Sequence, residues 1–153
     1  MRHITQEGID LIKHFEGFSP TVYTCPAGYA TIGYGHLIKK DETFKTIKEE
    51  DAQELLRIDA EAAERAVLRF IDVPLTDGQF DALVSFTFNL GSGALQRSTL
   101  RSKVNRQAHG EVPDQFNLWV WAGGRKLKGL IARRRMESSR YASPQPVHRA
   151  LPA

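Results

Sequence analysis

The sequence predicts an α+β chain, with one β-hairpin near the N-terminus set against a run of helices. Three observations predict it. β-Branched and aromatic runs flank a Cys-Pro-Ala-Gly turn at residues 25–28, a charged amphipathic stretch runs from Thr46 to Ile71, and helical apolar spacing continues to Tyr141. With 153 residues, 41% of them hydrophobic and 25% charged, the chain is long enough to bury a core.

Ile4, Ile9, Leu11, Ile12 and Phe15 fall broadly on one side of a helix that starts near Thr5 and stops before Gly17, which leaves Glu16 at its C-terminal end. The segments TVYT and YATIGYGHLI then read as the two arms of a hairpin with Cys25 at its tip. Proline second and glycine fourth in the connection fit a type I turn followed by a left-handed residue. Gly33 and Gly35 on the second arm predict a bulge or a close backbone approach, or simply a bent edge strand.

From Thr46, TIKEEDAQELLRIDAEAAERAVLRFI predicts one long helix, with Thr46 and Glu49 as a candidate capping box. Leu55, Ala62, Ala66 and Phe70 supply its apolar stripe, broadened by Ile58, Ala63 and Val67. Such a helix reaches roughly 36 Å, enough to join two lobes. Pro74 closes it, and DGQFDALVSFTFNLG predicts the central helix of a C-terminal core. Further helical pieces are expected around 95–108, 111–121 and 129–141, with Gly123-Gly124 breaking two of them. The expected organisation is an N-terminal lobe over about 1–46, a connecting helix over about 47–71, a helical lobe over about 73–142, and a loosely held tail over 143–153.

Composition narrows the function. No apolar run is long enough to span a membrane and the charged N-terminus is unlike a signal peptide, so synthesis in a cytoplasm is expected. A single cysteine excludes an internal disulfide, and no Cys/His cluster has metal-ligand spacing, so neither metal nor cofactor is expected. The net charge of +3 conceals an asymmetry: residues 1–72 hold nine basic against thirteen acidic side chains, and residues 73–153 twelve against five. The basic half suits an anionic partner such as nucleic acid, membrane surface or wall polymer, or is a solvated face with no dedicated partner.

Glu16 at a helix end beside a glycine-rich hairpin is a candidate general acid. Cleaving a glycosidic bond needs a proton on the leaving oxygen and a group on the opposite face to activate water or stabilise the sugar cation. At a helix C-terminus the negative end of the dipole disfavours a carboxylate. The alternative is a solvated helix-end glutamate.

The wider constellation is more specific. Glu16, eight residues, Cys25, five residues, Thr31, then Ile32-Gly33-Tyr34-Gly35-His36 resembles the active-site segment of the phage lysozyme family, the endolysin muramidases of T-even and lambdoid type. The resemblance extends through FNLG at Phe88–Gly91 and GLIARRRME at Gly129–Glu137. It implies a two-lobed α+β lysozyme-like fold with a cleft between the lobes, and hydrolysis of the β-1,4 bond between N-acetylmuramic acid and N-acetylglucosamine in peptidoglycan for host cell lysis. It further implies Glu16 as general acid, Cys25 as second catalytic group and Thr31 as holder of the attacking water, with Leu37, Phe88 and Asn89 lining the sugar cleft. His36 and Asp59 match a structural pair. The implied partner is the glycan strand, reached in the periplasm after a holin-type protein opens the membrane, and a monomer is expected.

Many relatives place an aspartate where Cys25 stands. A thiol with pKa near 8.5 is only about 3% ionised at pH 7, so Cys25 is open to three readings: a tuned thiolate base, a neutral thiol orienting water, or an inert turn residue. The segment RKLKGLIARRR, residues 125–135, reads either as a membrane-surface helix or as a packed terminal helix. Rival functions are a lytic transglycosylase using Glu16 alone and a non-catalytic wall-binding or membrane-binding module. Trp119 and Trp121 read as packing residues beside the basic segment, so no nucleic-acid partner is expected.

Overall fold

The computed structural model describes residues 1–145 and is mainly helical with a small sheet. Helix α1 (Gln6–Glu16) begins at the N-cap Thr5, whose side chain accepts from the Gly8 N–H. The Thr5 N–H itself donates to the fully buried Asp81 carboxylate at 2.9 Å. Ile9, Leu11 and Ile12 are buried, and the helix packs on α4 (Asp77–Leu90) and α8 (Lys128–Ala142). Its packing ties it to the helical body.

Strands β1 (Ser19–Thr24), β2 (Ala30–Gly33) and β3 (His36–Leu37) form an antiparallel sheet in that order. The second hairpin arm is therefore two strands separated by a turn at Tyr34-Gly35, and of the readings open for Gly33 and Gly35 the close approach is the one observed, to Ala52 and to Glu16. The tip follows the turn chemistry: the Gly28 N–H donates to the Cys25 carbonyl at 2.8 Å, Gly28 has φ 91°, and the Cys25 N–H returns to the Tyr29 carbonyl at 2.9 Å.

The connecting segment is two helices, α2 (Glu49–Asp59) and α3 (Glu61–Phe70), rather than one. Ala60 between them has φ −72° and ψ −16°, a flatter ψ than a regular helix, and this redirects the chain. The capping box does not form: Lys48 is the N-cap of α2 without a side-chain bond, and Thr46 bridges to Thr21 beside β1. The buried stripe is Ala52, Leu56, Ala60, Ala63, Ala66 and Val67, while Leu55 is half-buried, Ala62 is exposed and Ile58 is 57% exposed. The bend rotates the burial pattern away from the one a straight helix would present.

Helix α4 is the centre of the core, as its apolar pattern predicts. Thr76 and Gln79 close a full capping box, and Phe80, Ala82, Leu83, Val84 and Phe86 are buried. Phe86 meets Phe116 and Trp119 edge to face at 5.6 and 5.4 Å, contacts worth about 0.5–1.5 kcal/mol each beyond burial. Beyond α5 (Ser92–Arg97), α6 (Thr99–Asn105) and α7 (Val112–Phe116), the chain forms a two-stranded ribbon, β4 (Trp121–Ala122) and β5 (Arg125–Lys126). Gly123 and Gly124, at φ 59° and 77°, are its two-residue turn, the positive-φ pair that a type I′ hairpin requires, so they join two strands instead of breaking two helices. Trp119 packs on the core, but Trp121 is 60% exposed on this ribbon, contrary to its reading as a packing residue. Of the tail expected over 143–153, residues 146–153 lie outside the described residues. In the described part Gln145 accepts from the Gly78 N–H at 3.0 Å.

Candidate active site

Glu16 is the last residue of α1, and Gly17 at φ 73° turns the chain into β1. The Glu16 carboxyl lies over the β2–β3 turn. A Cβ on Gly35 would stand 2.9 Å from Glu16 Oε1, and Gly35 has φ 77°, so both space and backbone demand glycine there. The turn is braced from the other side: the buried Tyr34 donates to Glu49 Oε2 at 2.9 Å, and Lys13 of α1 reaches the same oxygen at 2.9 Å.

Glu16 Oε2 accepts from Arg133 Nη1 at 2.9 Å. Arg133 is buried and shared: its Nε donates to Glu137 Oε2 at 3.2 Å and its Nη2 to the Ser85 carbonyl at 3.2 Å. Ser85 Oγ donates to Glu137 Oε2 at 2.6 Å, Arg134 Nη1 donates to Glu137 Oε1 at 2.6 Å, and Arg134 Nη2 donates to Asn89 Oδ1. A continuous chain of charge-assisted bonds thus runs from Glu16 through α8 to Asn89 at the end of α4. Two cations face two carboxylates within it, which balances the buried charge. Sequence reasoning missed this network because residues 125–135 read as a membrane-surface or packed terminal helix without partners being assigned to its arginines. The available signal was Glu137 standing three and four positions after Arg134 and Arg133, the spacing at which helix side chains meet.

Thr31 on β2 is buried, and its hydroxyl donates to the Tyr29 carbonyl at 2.9 Å. Cys25 is half-buried at the hairpin tip. The backbone N–H of Tyr29 pulls its thiol below the ordinary value; burial opposes this, and the backbone of Ala27, the Thr31 hydroxyl and the backbone of Gly28 add to it. Thr31 has one hydroxyl proton, so helping an ionised sulfur means releasing Tyr29. Cys25 and Thr31 are neighbours across the hairpin, close enough for the Thr31 hydroxyl to favour the ionised thiol.

His36 Nδ1 lies 2.8 Å from Asp59 Oδ2, joining β3 to the end of α2, and His36 Nε2 lies 2.9 Å from Glu42 Oε1. Glu42 was absent from the sequence reading. Leu37 is 52% exposed on β3. Phe88 is half-buried against the core and, with Asp59, Ala63, Thr87, Gly91 and Ser92, lines a concavity of about 270 Å³ between α3 and the α4–α5 corner. Thr87 Oγ1 on that wall is one of two buried side-chain polar atoms without a hydrogen-bond partner among the described residues. Asn89 stands apart from the concavity, engaged by Arg134. Two larger concavities, of about 450 and 580 Å³, lie on the outer side of α2 and between α1 and α8, and none of the site residues named from the sequence lines them. Among the described residues no group of three or more His, Cys, Asp or Glu side chains is arranged to hold a metal ion.

Comparison with known proteins gives concordant matches. The family model described as phage lysozyme matches residues 13–137. The chain is 39% identical over 141 residues to an endolysin of Bacillus phage B103, covering 91% of this chain and 54% of that protein. It is 35% identical over 147 residues to the endolysin of Salmonella phage P22, covering 94% of this chain and 100% of that one. The chain therefore spans about half the length of the Bacillus phage relative and the whole of the P22 relative. Among solved structures, the muramidase domain of SpmX from Asticcacaulis excentricus superposes with a TM-score of 0.84 at 37% identity, covering 94% of this chain and 100% of that chain.

Proposed function

The chain belongs to the phage lysozyme family, and from that premise we propose that it is a lysozyme that hydrolyses the β-1,4 bond between N-acetylmuramic acid and N-acetylglucosamine in peptidoglycan. The observation that carries the proposal is the setting of Glu16. Its carboxyl is seated on the Gly35 turn and held there by Arg133, one element away from the Cys25–Thr31 pair. Glu16 donates the proton to the leaving oxygen, and the guanidinium and the turn keep the carboxyl from swinging out of line. Cys25, with its thiol acidified, takes the proton of the attacking water, while Thr31 orients that water through its hydroxyl. Leu37 and Phe88 contribute apolar contact to the sugar rings. Asn89 acts at one remove, by fixing Arg134. His36, Asp59 and Glu42 hold the sheet to α2 and take no part in the chemistry.

The biological setting belongs to the same reading: synthesis in a host cytoplasm, then action on the periplasmic wall once a holin-type protein opens the membrane. The direct test is Glu16→Gln on purified peptidoglycan. The amide keeps the size and the hydrogen bond to Arg133 but has no proton of the right acidity, so release of soluble fragments falls by 10²-fold or more. Retained release at the wild-type rate overturns the assignment.

A further inference from the structure

We infer that the β4–β5 ribbon is a docking surface for an anionic phospholipid membrane. Residues 121–129 are exposed without interruption. Leu118 is 64% exposed, Trp121 60% and Leu127 39%, so three large apolar side chains within ten positions face water. Arg125, Lys126 and Lys128 stand among them, and no acidic residue occurs between Asp114 and Glu137. Trp121 and Lys126 are directly opposed across the ribbon, with Lys126 Nζ 5.5 Å from the indole centroid, so ring and cation share one face of the tip.

This chemistry selects its partner. From Leu118 to Ala132 there is no serine, threonine, asparagine, glutamine, aspartate, glutamate or histidine. With no side-chain acceptor in this stretch, only Arg, Lys and backbone groups could meet sugar hydroxyls; a lipid interface takes an indole at headgroup depth, aliphatic side chains on either face of the tip and cations against the phosphates. From Lys128 the basic segment is the packed terminal helix, and its membrane-surface reading fails there, since Arg133 and Arg134 are buried in the Glu137 network and unavailable to lipid. The membrane-facing part is the ribbon, held out from the core by the Gly123-Gly124 turn. Docking there would add a surface-seeking function to a wall-cutting enzyme, and it is independent of the catalytic assignment.

The test is co-sedimentation of the full chain with phosphatidylglycerol-rich vesicles and with phosphatidylcholine vesicles. The expected result is binding to the first that weakens with added salt, and little binding to the second. Each cation near an anionic surface contributes about fivefold, so Arg125→Ala with Lys126→Ala lowers the partition constant about 25-fold. Trp121→Ala is an independent arm: it weakens binding and removes the vesicle-induced blue shift of tryptophan emission. Equal binding to both vesicle types overturns the inference, as does wild-type binding by both variants, which would assign adhesion to the rest of the basic half. Variants that keep vesicle binding but lose pelleting with peptidoglycan overturn it in favour of a glycan surface.

Discussion

Arg133 Nη1 donates to Glu16 Oε2 at 2.9 Å across 117 positions of sequence, and the same guanidinium is held by Glu137 and Ser85. The candidate acid is thus positioned from the far end of the chain. A lysine at 133 would be a point charge unable to serve three partners in one plane. Arg133→Lys is expected to lower kcat on peptidoglycan by tenfold or more while the chain still folds; unchanged kcat would show that Glu16 needs no such hold.

Glu137 is fully buried between two arginines. Removing its charge leaves both guanidiniums without their shared counter-ion, and breaking a buried pair costs about 3–5 kcal/mol. Glu137→Gln should therefore unfold at clearly lower temperature or denaturant concentration. A melting curve that superposes on the wild type would mean that solvent reaches the network.

The Cys25 thiol is acidified chiefly by the Tyr29 backbone, so alkylation by iodoacetamide should rise with a midpoint below that of the same cysteine in the unfolded chain. On the proposed role of Cys25 as base, the part of turnover that depends on Cys25 should climb with pH through that midpoint. Cys25→Ser cannot ionise in this range and is expected to lose 10²-fold or more. Activity within a few-fold of wild type would assign Cys25 to water orientation, and full activity in Cys25→Ala would remove it from the chemistry.

His36 binds its proton more tightly than the ordinary 6.5: burial alone lowers its affinity, and the bonds and charges of Asp59 and then Glu42 reverse this. Glu42 is held below 4.5, first by the Lys39 N–H and then by His36. A raised imidazole value stabilises the folded chain fully below pH 6.5 and is lost as pH rises through the raised value. The lowered carboxyl value contributes above pH 4.5 and is lost as pH falls through it. Both contributions are present between those limits. The stability gap between wild type and Asp59→Asn should be widest there and shrink toward alkaline pH, with turnover little changed. A gap independent of pH, or a large loss of turnover at intact stability, would contradict a structural role.

Gly35 offers a steric test of the site. A methyl group there would meet Glu16 Oε1 at 2.9 Å on a backbone of φ 77°. Gly35→Ala should cost about 1–2 kcal/mol from the backbone alone and displace the carboxyl. The expected outcome is a kcat loss larger than the change in KM, and wild-type kinetics would place Glu16 elsewhere in solution.

Much of this was legible because the signals are local. The turn at Cys25–Gly28 and the apolar run of α4 each depend on a few neighbouring residues, and turn chemistry or periodicity exposes them; Glu16, Cys25 and Thr31 stand out only through the resemblance of their spacing to the phage lysozyme family. What escaped depends on contacts between distant segments. The bend at Ala60 escapes because alanine is the strongest helix former and nothing in its local sequence marks a break; its buried place between α2 and α3 is a tertiary property that helix propensity does not register. Arg133 and Arg134 look like surface charges until Glu16, Ser85, Glu137 and Asn89 close around them. Trp121 looks like a core residue by type, and only the ribbon geometry puts it in water.

The most direct measurement is mass spectrometry of soluble fragments released from purified peptidoglycan by the wild-type chain. Hydrolysis with water handled by Cys25 and Thr31 predicts ordinary reducing muramic acid ends, lost together with fragment release in Glu16→Gln. Muramic ends lighter by one water would contradict it, because the bond would then be broken by the sugar's own hydroxyl and the reaction would be that of a lytic transglycosylase.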